Sequence, residues 1–292
     1  MTPQASWNLF ADLSAMWSYP YCRNALIAGS FVAIMAGAMG WLMVLRKQSF
    51  LGHTLSLVAY PGAAAATALG IPILFGYYGA VLIAAAVAVS SSSRGLGGER
   101  RAAATTGTIQ AVALAAGVLL SSLSPSFLES TTTLLFGSFL GVTSTEVLAT
   151  AIVAVVVLSV LGVCARPLVL TTFDPLAGEA AGLPVRIFDA VEVLLLGIVV
   201  AAVSQITGAL LVFALLVMPA AAAVQLTTKV WRSVGLSIAL GLVVVWAGIS
   251  IAFYLPHLPL GFTITTTGMA LYLVSSGWRS WSEGSHRLRS AS

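Results

Sequence analysis

Long stretches without a single formal charge dominate this sequence. Residues 48–93 and residues 193–228 contain no Lys, Arg, Asp or Glu. Over the whole chain charged residues amount to 8%, whereas an ordinary soluble domain carries about 25%. Such a chain has too few charged groups to cover a surface that faces water, but it can cover one that faces lipid. The sequence therefore predicts an all-α, polytopic membrane protein.

The apolar runs are long enough to be counted as membrane-spanning helices. A helix needs about 20 mainly apolar residues to cross a bilayer. On that scale we predict nine spans, with eight or ten as the alternatives, in one transmembrane domain over residues 25–278. Residues 1–24 form an extracytoplasmic or interfacial segment before it, and residues 279–292 a tail after it. The spans cover residues 25–45, two helices within 48–93, 102–123, 147–165, two within 193–228 and two within 233–278.

The positions of the basic residues predict how the chain is oriented. Cytoplasmic loops of membrane proteins carry an excess of Lys and Arg. If the N-terminus lies outside and the spans alternate, every Lys and Arg except Arg23 falls on the inside, and the C-terminus is cytoplasmic. We therefore predict a multi-pass protein of the cell membrane, embedded in the lipid bilayer. The net charge of +4 comes from these loop clusters, so no nucleic-acid partner is expected.

Motifs for nucleotide binding and for catalysis are missing from the sequence. A phosphate-binding loop of the Walker type requires a Lys directly after a Gly, and neither Lys47 nor Lys229 follows one. The usual zinc-protease and serine-hydrolase motifs do not occur either. We predict that the chain is not an enzyme and that it binds no cofactor of its own.

Acidic residues fall only in the predicted loops or at the ends of the predicted spans. Proton-coupled secondary transporters need carboxylates at membrane depth, so this distribution argues against that class. A transport protein with neither such a carboxylate nor a nucleotide site takes its energy from another subunit. A secondary transporter or channel that works without ATP is the alternative function.

The inner loop between the fifth and sixth predicted spans contains the pattern of a short helix. Asp174 can accept hydrogen bonds from the free N–H groups of a first turn, and Pro175 suits the first helical position. Gly182 fits a left-handed helix end, and Pro184 prevents continuation. We predict an inner-face helix over about residues 174–183. It either packs on its own bundle as a capped loop or docks a cytoplasmic partner.

Four short motifs occur in order along the chain. They are RKQSFLG at residues 46–52, LFGS at 135–138, TFDP at 172–175 followed by Ala180, Gly182 and Leu183, and LLVMPAA at 215–221. Together they resemble the zinc/manganese-type ABC permease family, in the family's order and over residues from about 23 to 280. A single motif would carry little weight, whereas four in register indicate similarity along most of the chain.

This resemblance implies a fold, a function and a set of partners. The fold is that of a type II ABC importer permease, and the function is import of a divalent metal ion, zinc or manganese. The implied partners are a second copy of the chain, a cytoplasmic ATP-binding subunit that uses ATP, and an extracytoplasmic substrate-binding protein. In such importers the short helix after the fifth span inserts into the ATPase. The residues that this assigns to ATPase coupling are Phe173, Asp174, Pro175, Glu179 and Gly182.

A polar stripe in the second predicted span is a candidate for the transport path. His53, Ser56, Tyr60 and Thr67 are three, four and seven residues apart and so share one helix face. Such a stripe is costly in lipid unless it faces the bundle interior or water, although helix packing through Ser and Thr is the other interpretation. The family usually carries Asp at the place of His53 and His at the place of Leu57. His53 is thus a single candidate metal ligand.

One further histidine lies in a predicted outer loop. His257 sits between Pro256 and Pro259, in the turn between the last two predicted spans. It is a candidate contact for the substrate-binding protein, and a plain turn residue is the other interpretation.

Overall fold

Every regular element in the described part of the protein is a helix. The computed structural model describes residues 16–91, 98–123, 141–255 and 257–289. We number the helices in chain order as α1 (Pro20–Leu45), α2 (Ser49–Ala68), α3 (Ile73–Ser91), α4 (Gly98–Leu123), α5 (Ser144–Phe173), α6 (Pro175–Ala180), α7 (Val185–Thr207), α8 (Ala209–Leu226), α9 (Val230–Tyr254) and α10 (Leu260–Arg289).

The helix lengths fit a membrane-embedded bundle. Within the described ranges, nine helices have 18 residues or more, and these follow the nine predicted spans in order. Six of them, α1, α3, α4, α5, α7 and α9, are long and apolar enough to cross a membrane by length and composition. The predicted all-α, polytopic membrane fold is therefore confirmed.

Helix α1 is the central packing element of the bundle. It contacts α5, α7, α8 and α9, and most of its apolar residues are buried. Gly40 of α1 lies directly against the backbone carbonyl of Leu216 in α8, where a Cβ would not fit. Lipid tails are as apolar as the side chains, so helices in a membrane associate through such close contacts of small residues.

Contacts between distant residues show which helix ends lie together. At one end of the bundle, Asn24 Nδ2 donates a 3.1 Å hydrogen bond to the carbonyl oxygen of Val142, so the starts of α1 and α5 are neighbours. At the other end, Arg46 contacts Thr172 and Asp189, so the end of α1 meets the end of α5 and the start of α7. We call the latter the Arg46 end; it also holds α6.

Two predicted helix boundaries differ in a way that bears on function. Helix α5 extends to Phe173 rather than to residue 165, so α6 follows a continuous helix. Helix α7 begins at Val185 rather than at residue 193. The expectation that no carboxylate lies inside a span is therefore wrong for Glu192. The charged residues near the start of α7 do not require a loop, because Arg46 reaches them from α1.

The helices at both ends of the chain extend past the predicted limits of the transmembrane domain, and the division itself stays a prediction. Helix α1 begins at Pro20, before the predicted domain boundary at residue 25, since proline is tolerated in a first turn. The predicted tail over residues 279–292 is helical as far as Arg289, as a continuation of α10. Residues 1–15 and the LFGS motif at 135–138 lie outside the described residues.

Candidate functional site

The short helix α6 begins with the capping arrangement that the sequence predicts. The side chain of Asp174 accepts a 2.9 Å hydrogen bond from the backbone N–H of Ala177, and Pro175 occupies the first helical position. After the helix, Gly182 has a φ of 77°, a left-handed conformation that costs glycine little. The helix itself is shorter than the predicted segment, because residues 181 and 182 form its closing turn.

One face of α6 rests on the bundle while its apolar residues remain accessible. Gly178 is buried, and a Cβ at this position would lie 3.2 Å from the side chain of Thr171 in α5 and 3.5 Å from that of Val185 in α7. By contrast, Phe173 is 60% exposed and Leu176 is 77% exposed. Asp174, Pro175, Glu179 and Gly182 are exposed as well. Helix α6 is thus held against the bundle at Gly178. Its exposed apolar and acidic side chains are accessible to a partner at the Arg46 end.

Behind α6, the guanidinium of Arg46 joins three helices. Its Nε donates to Thr172 Oγ1 at 2.8 Å, and Nη2 donates to Thr171 Oγ1 at 3.0 Å and to the carbonyl oxygen of Leu168 at 3.4 Å. Its Nη1 donates to Asp189 Oδ1 of α7 at 2.8 Å. The Arg46 side chain is only 8% exposed, so these bonds lie largely out of water.

Glu192 lies one turn beyond Asp189 on α7 and is fully buried. Its Oε2 is 3.9 Å from Arg46 Nη1, and neither carboxylate oxygen accepts a hydrogen bond of normal geometry among the described residues. The side chain of Gln48, at the entrance to α2, is its polar neighbour. We refer to Arg46, Asp189 and Glu192 as the Arg46 cluster.

Sequence reasoning did not identify the Arg46 cluster. The prediction placed Asp189 and Glu192 in a loop, where their charges needed no partner. A signal was nonetheless present, because Arg46 ends one predicted span and both carboxylates precede another span on the same side of the membrane. Only the packing of α1 beside α7 brings them to one point.

The half of the polar stripe on α2 that contains His53 and Ser56 lies against α8. His53 is half-buried, and its ring meets the ring of Phe213 edge-on with 5.0 Å between centroids. The Nδ1 atom of His53 is buried and has no hydrogen-bond partner among the described residues. Ser56 is buried and donates to the carbonyl oxygen of His53 at 2.7 Å, within the same helix. Leu57, where the family usually has His, is buried as well.

The other half of the stripe, which contains Tyr60 and Thr67, makes different contacts. Tyr60 is nearly buried against Gly117 of α4, where a Cβ would lie 2.7 Å from the tyrosine ring. Thr67 is exposed and donates to the carbonyl oxygen of Ala63 at 2.9 Å. The structure therefore does not bring the four polar side chains to one point. Tyr60 fits the packing interpretation, and a transport role for the other three stays a prediction.

The other histidine predicted to have a role, His257, and the residues around His53 that could bind a metal have the following positions. His53 has no second histidine one turn further along α2, where Leu57 stands. The described residues contain no group of three or more His, Cys, Asp and Glu side chains that could hold a metal. His257 is exposed in the turn between α9 and α10. That turn lies opposite the Arg46 end, since Phe253 packs on Tyr19 with 5.8 Å between ring centroids.

A bundle of long apolar helices with a short, capped and exposed helix at one end fits the membrane permease of an ABC transporter. Such a permease is not an enzyme. The chain belongs to the ABC 3 transport family, whose model matches residues 18–279. This confirms the resemblance inferred from the four sequence motifs.

Relatives and solved structures agree over most of the chain. The chain is 30% identical over 266 residues to the manganese import system permease protein ScaB of Streptococcus parasanguinis, covering 90% of this chain and 92% of that protein. It is 28% identical over 266 residues to the manganese transport system membrane protein MntC of Listeria innocua, with 90% and 92% covered.

Two solved structures share the fold. PsaBC from Streptococcus pneumoniae, in complex with Fab, matches with a TM-score of 0.78 and 26% identity, over 91% of this chain and 95% of that one. An inward-facing metal-chelate type ABC transporter matches with a TM-score of 0.70 and 16% identity, over 94% and 90%. The second similarity supports the fold alone.

Proposed function

We propose that this protein is the permease subunit of an ABC importer for a divalent metal ion, manganese or zinc. The observation that carries the proposal is α6, a capped helix that is anchored through Gly178 and exposes Leu176 at the Arg46 end. A stiff, anchored helix can transmit a rigid-body movement of a partner subunit to the bundle, which a flexible loop cannot do. The relatives named for manganese import support manganese as the cargo.

The candidate path explains why binding of the ion within the membrane should be weak. His53 offers one imidazole, whose buried Nδ1 has no partner among the described residues, and it stands with Leu57 at the two positions where the family usually carries Asp and His. A divalent ion prefers several ligands, so selection of the ion falls to a separate binding protein. Weak contact suits a conduit, because the ion must leave as readily as it enters.

The proposed assembly contains two copies of this chain, a cytoplasmic ATP-binding subunit and an extracytoplasmic substrate-binding protein. ATP is used by the partner subunit. The Arg46 end faces the cytoplasm, because it carries Arg46, Lys47, Arg186, Lys229 and Arg232, as the distribution of loop charges requires. The N-terminus then lies outside and the C-terminus inside. His257, on the opposite face, is a candidate contact for the binding protein.

Reconstitution in lipid vesicles tests this function. The permease alone, and the permease with its ATPase and binding protein, are assayed for uptake of Mn²⁺, Zn²⁺ and Fe²⁺. We expect uptake of Mn²⁺ or Zn²⁺ only with all three proteins and ATP. Flux driven by an ion gradient through the permease alone would instead favour a secondary transporter or channel.

A further inference from the structure

A groove at the surface of the bundle has no part in the proposed ATPase docking or in the ion path. Helices α5 and α9 both pack on α1, and a groove of about 200 Å³ runs between them with α1 as its floor. Its lining includes Ala38 and Trp41 of α1, residues from Leu158 to Val169 of α5 and residues from Trp231 to Ile238 of α9. Apart from two indole N–H groups, the lining side chains carry no polar atom. Such a groove suits a hydrocarbon chain better than water.

The direction of α9 shows at which end of the bundle the groove opens. Ser237 of α9 donates a hydrogen bond to the carbonyl oxygen of Gly37 in α1. One turn further along α9, a Cβ at Gly241 would lie 3.2 Å from the carbonyl oxygen of Ala33. Later positions on α9 thus meet earlier positions on α1, so the two helices are antiparallel. The start of α9, with the groove residue Trp231, therefore lies at the Arg46 end.

The length of the groove matches the depth of one leaflet. On α5 the lining runs back from Val169, near the Arg46 end, to Leu158. These eleven residue steps correspond to about 16 Å of helix. The hydrocarbon core of a bilayer is about 30 Å thick. An acyl chain that enters at the Arg46 end can therefore lie in the groove over the whole depth of its own leaflet.

Basic residues flank the groove on both of its walls. Arg166 directly follows the lining residue Ala165 on α5, and its long side chain is exposed and can extend towards the membrane surface. Lys229 and Arg232 are exposed at the start of α9, one before and one after Trp231. Trp231 is 64% exposed, and tryptophan is enriched at the level of the lipid headgroups. Basic pockets between membrane helices bind the headgroups of anionic lipids.

We propose that this groove binds one anionic phospholipid from the leaflet at the Arg46 end. One acyl chain lies along α1 between α5 and α9, and the phosphate lies between Arg166 and Arg232. The lining residue Leu168 also gives its carbonyl oxygen to Arg46, so the lipid supports α5 directly before α6. This inference goes beyond the proposed function, because it depends neither on the cargo nor on the ATPase.

The experiment compares phosphatidylglycerol with phosphatidylcholine, which have similar acyl chains but differ in net charge. Each lipid is titrated into the full-length permease in detergent, and bound lipid is counted by native mass spectrometry. We expect one phosphatidylglycerol per chain to bind more tightly than phosphatidylcholine by roughly tenfold or more, because each basic residue at the membrane surface adds to the attraction. Equal affinities for the two lipids would overturn the proposal.

Gly162→Leu and Gly235→Leu are a matched pair that tests the groove itself. Both glycines are exposed, and a Cβ at either position would have no packing neighbour within 4 Å. Only Gly162 lines the groove. We expect Gly162→Leu to fill the groove and to weaken binding of phosphatidylglycerol roughly tenfold, the whole margin expected above, and Gly235→Leu to leave binding unchanged. Unchanged binding in Gly162→Leu would show that the lipid does not lie in the groove.

The double variant Arg166→Gln/Arg232→Gln tests the charged walls and keeps the groove intact. We expect the preference for phosphatidylglycerol over phosphatidylcholine to fall roughly fivefold or more. Both arginines are exposed, so this variant decides the proposal even if Gly162→Leu does not fold. An undiminished preference would overturn it. Inorganic phosphate should not displace the bound lipid, because it cannot fill the apolar groove; displacement would assign the site to a free anion and overturn the proposal as well.

Discussion

Ser237 of α9 donates a 2.7 Å hydrogen bond from Oγ to the carbonyl oxygen of Gly37 in α1, across 200 positions of sequence. A bond to a backbone carbonyl inside another helix requires that the two helix backbones lie very close. The same closeness recurs between α2 and α3, where Gly62 and Gly76 meet backbone to backbone. Small residues at these two crossings therefore allow the helix backbones to approach this closely.

The first prediction concerns the crossing of α2 and α3. A Cβ at Gly76 would overlap the carbonyl oxygen of Gly62, whereas one at Gly79, on the same helix, would meet open space. Overpacking of this kind costs about 1–3 kcal/mol. We expect Gly76→Ala to lower the melting temperature of the purified permease and Gly79→Ala to leave it almost unchanged. Equal melting temperatures for the two variants would show that the crossing tolerates the extra methyl group.

The second prediction concerns the cap of α6. Asp174→Ala removes the acceptor for the N–H of Ala177, and loss of an N-cap costs about 1 kcal/mol. We expect the double variant Asp174→Ala/Glu179→Ala to hydrolyse ATP without matching uptake of Mn²⁺. Asp174→Asn is the matched control, because asparagine caps a helix as well as aspartate does. Unchanged uptake in the double variant would count against a coupling role for α6.

The third prediction concerns the ion path. His53→Ala removes the candidate ligand from the path, so we expect a lower maximal rate of Mn²⁺ uptake, while the KM, which the separate binding protein sets, stays the same. The His53 ring packs edge-on against Phe213, so the melting temperature is measured beside the uptake rate to separate a loss of packing from the loss of the ligand. The control is Thr67→Val, because Thr67 is exposed and donates its hydrogen bond within its own helix. A maximal uptake rate that is the same in both variants and in the unmodified protein would remove His53 from the path.

The fourth prediction concerns orientation. Cys22 and Cys164 are free thiols and are first replaced with Ala. Lys47→Cys and His257→Cys then place single thiols at residues that are exposed at opposite ends of the bundle. In intact cells we expect a membrane-impermeant maleimide to label position 257 and to label position 47 only after lysis. The reverse pattern would place α6 outside the cell and rule out the proposed ATPase contact.

The class of the protein could be predicted from sequence because the bilayer imposes a simple requirement on composition and length. Charge-free runs determine the number of long helices, and the run over residues 193–228, predicted to hold two spans, is divided between α7 and α8. The cap at Asp174 and the left-handed Gly182 are local features, which depend on neighbouring residues alone. These parts of the site therefore followed from the order of residues.

The Arg46 cluster could not be predicted in this way. Arg46 and Asp189 are 143 positions apart in the sequence. A charged residue near the end of a predicted span is assigned to a loop unless its partner in another helix is known. The same holds for the polar stripe on α2, whose periodicity cannot distinguish Tyr60 packed on Gly117 from His53 beside Phe213. The sequence by itself determined a lipid-embedded helical bundle with a short capped helix after its fifth long helix, because burial in lipid and helix capping act locally. Only the tertiary structure decided which charges pair, because pairing depends on the close approach of α1, α5 and α7.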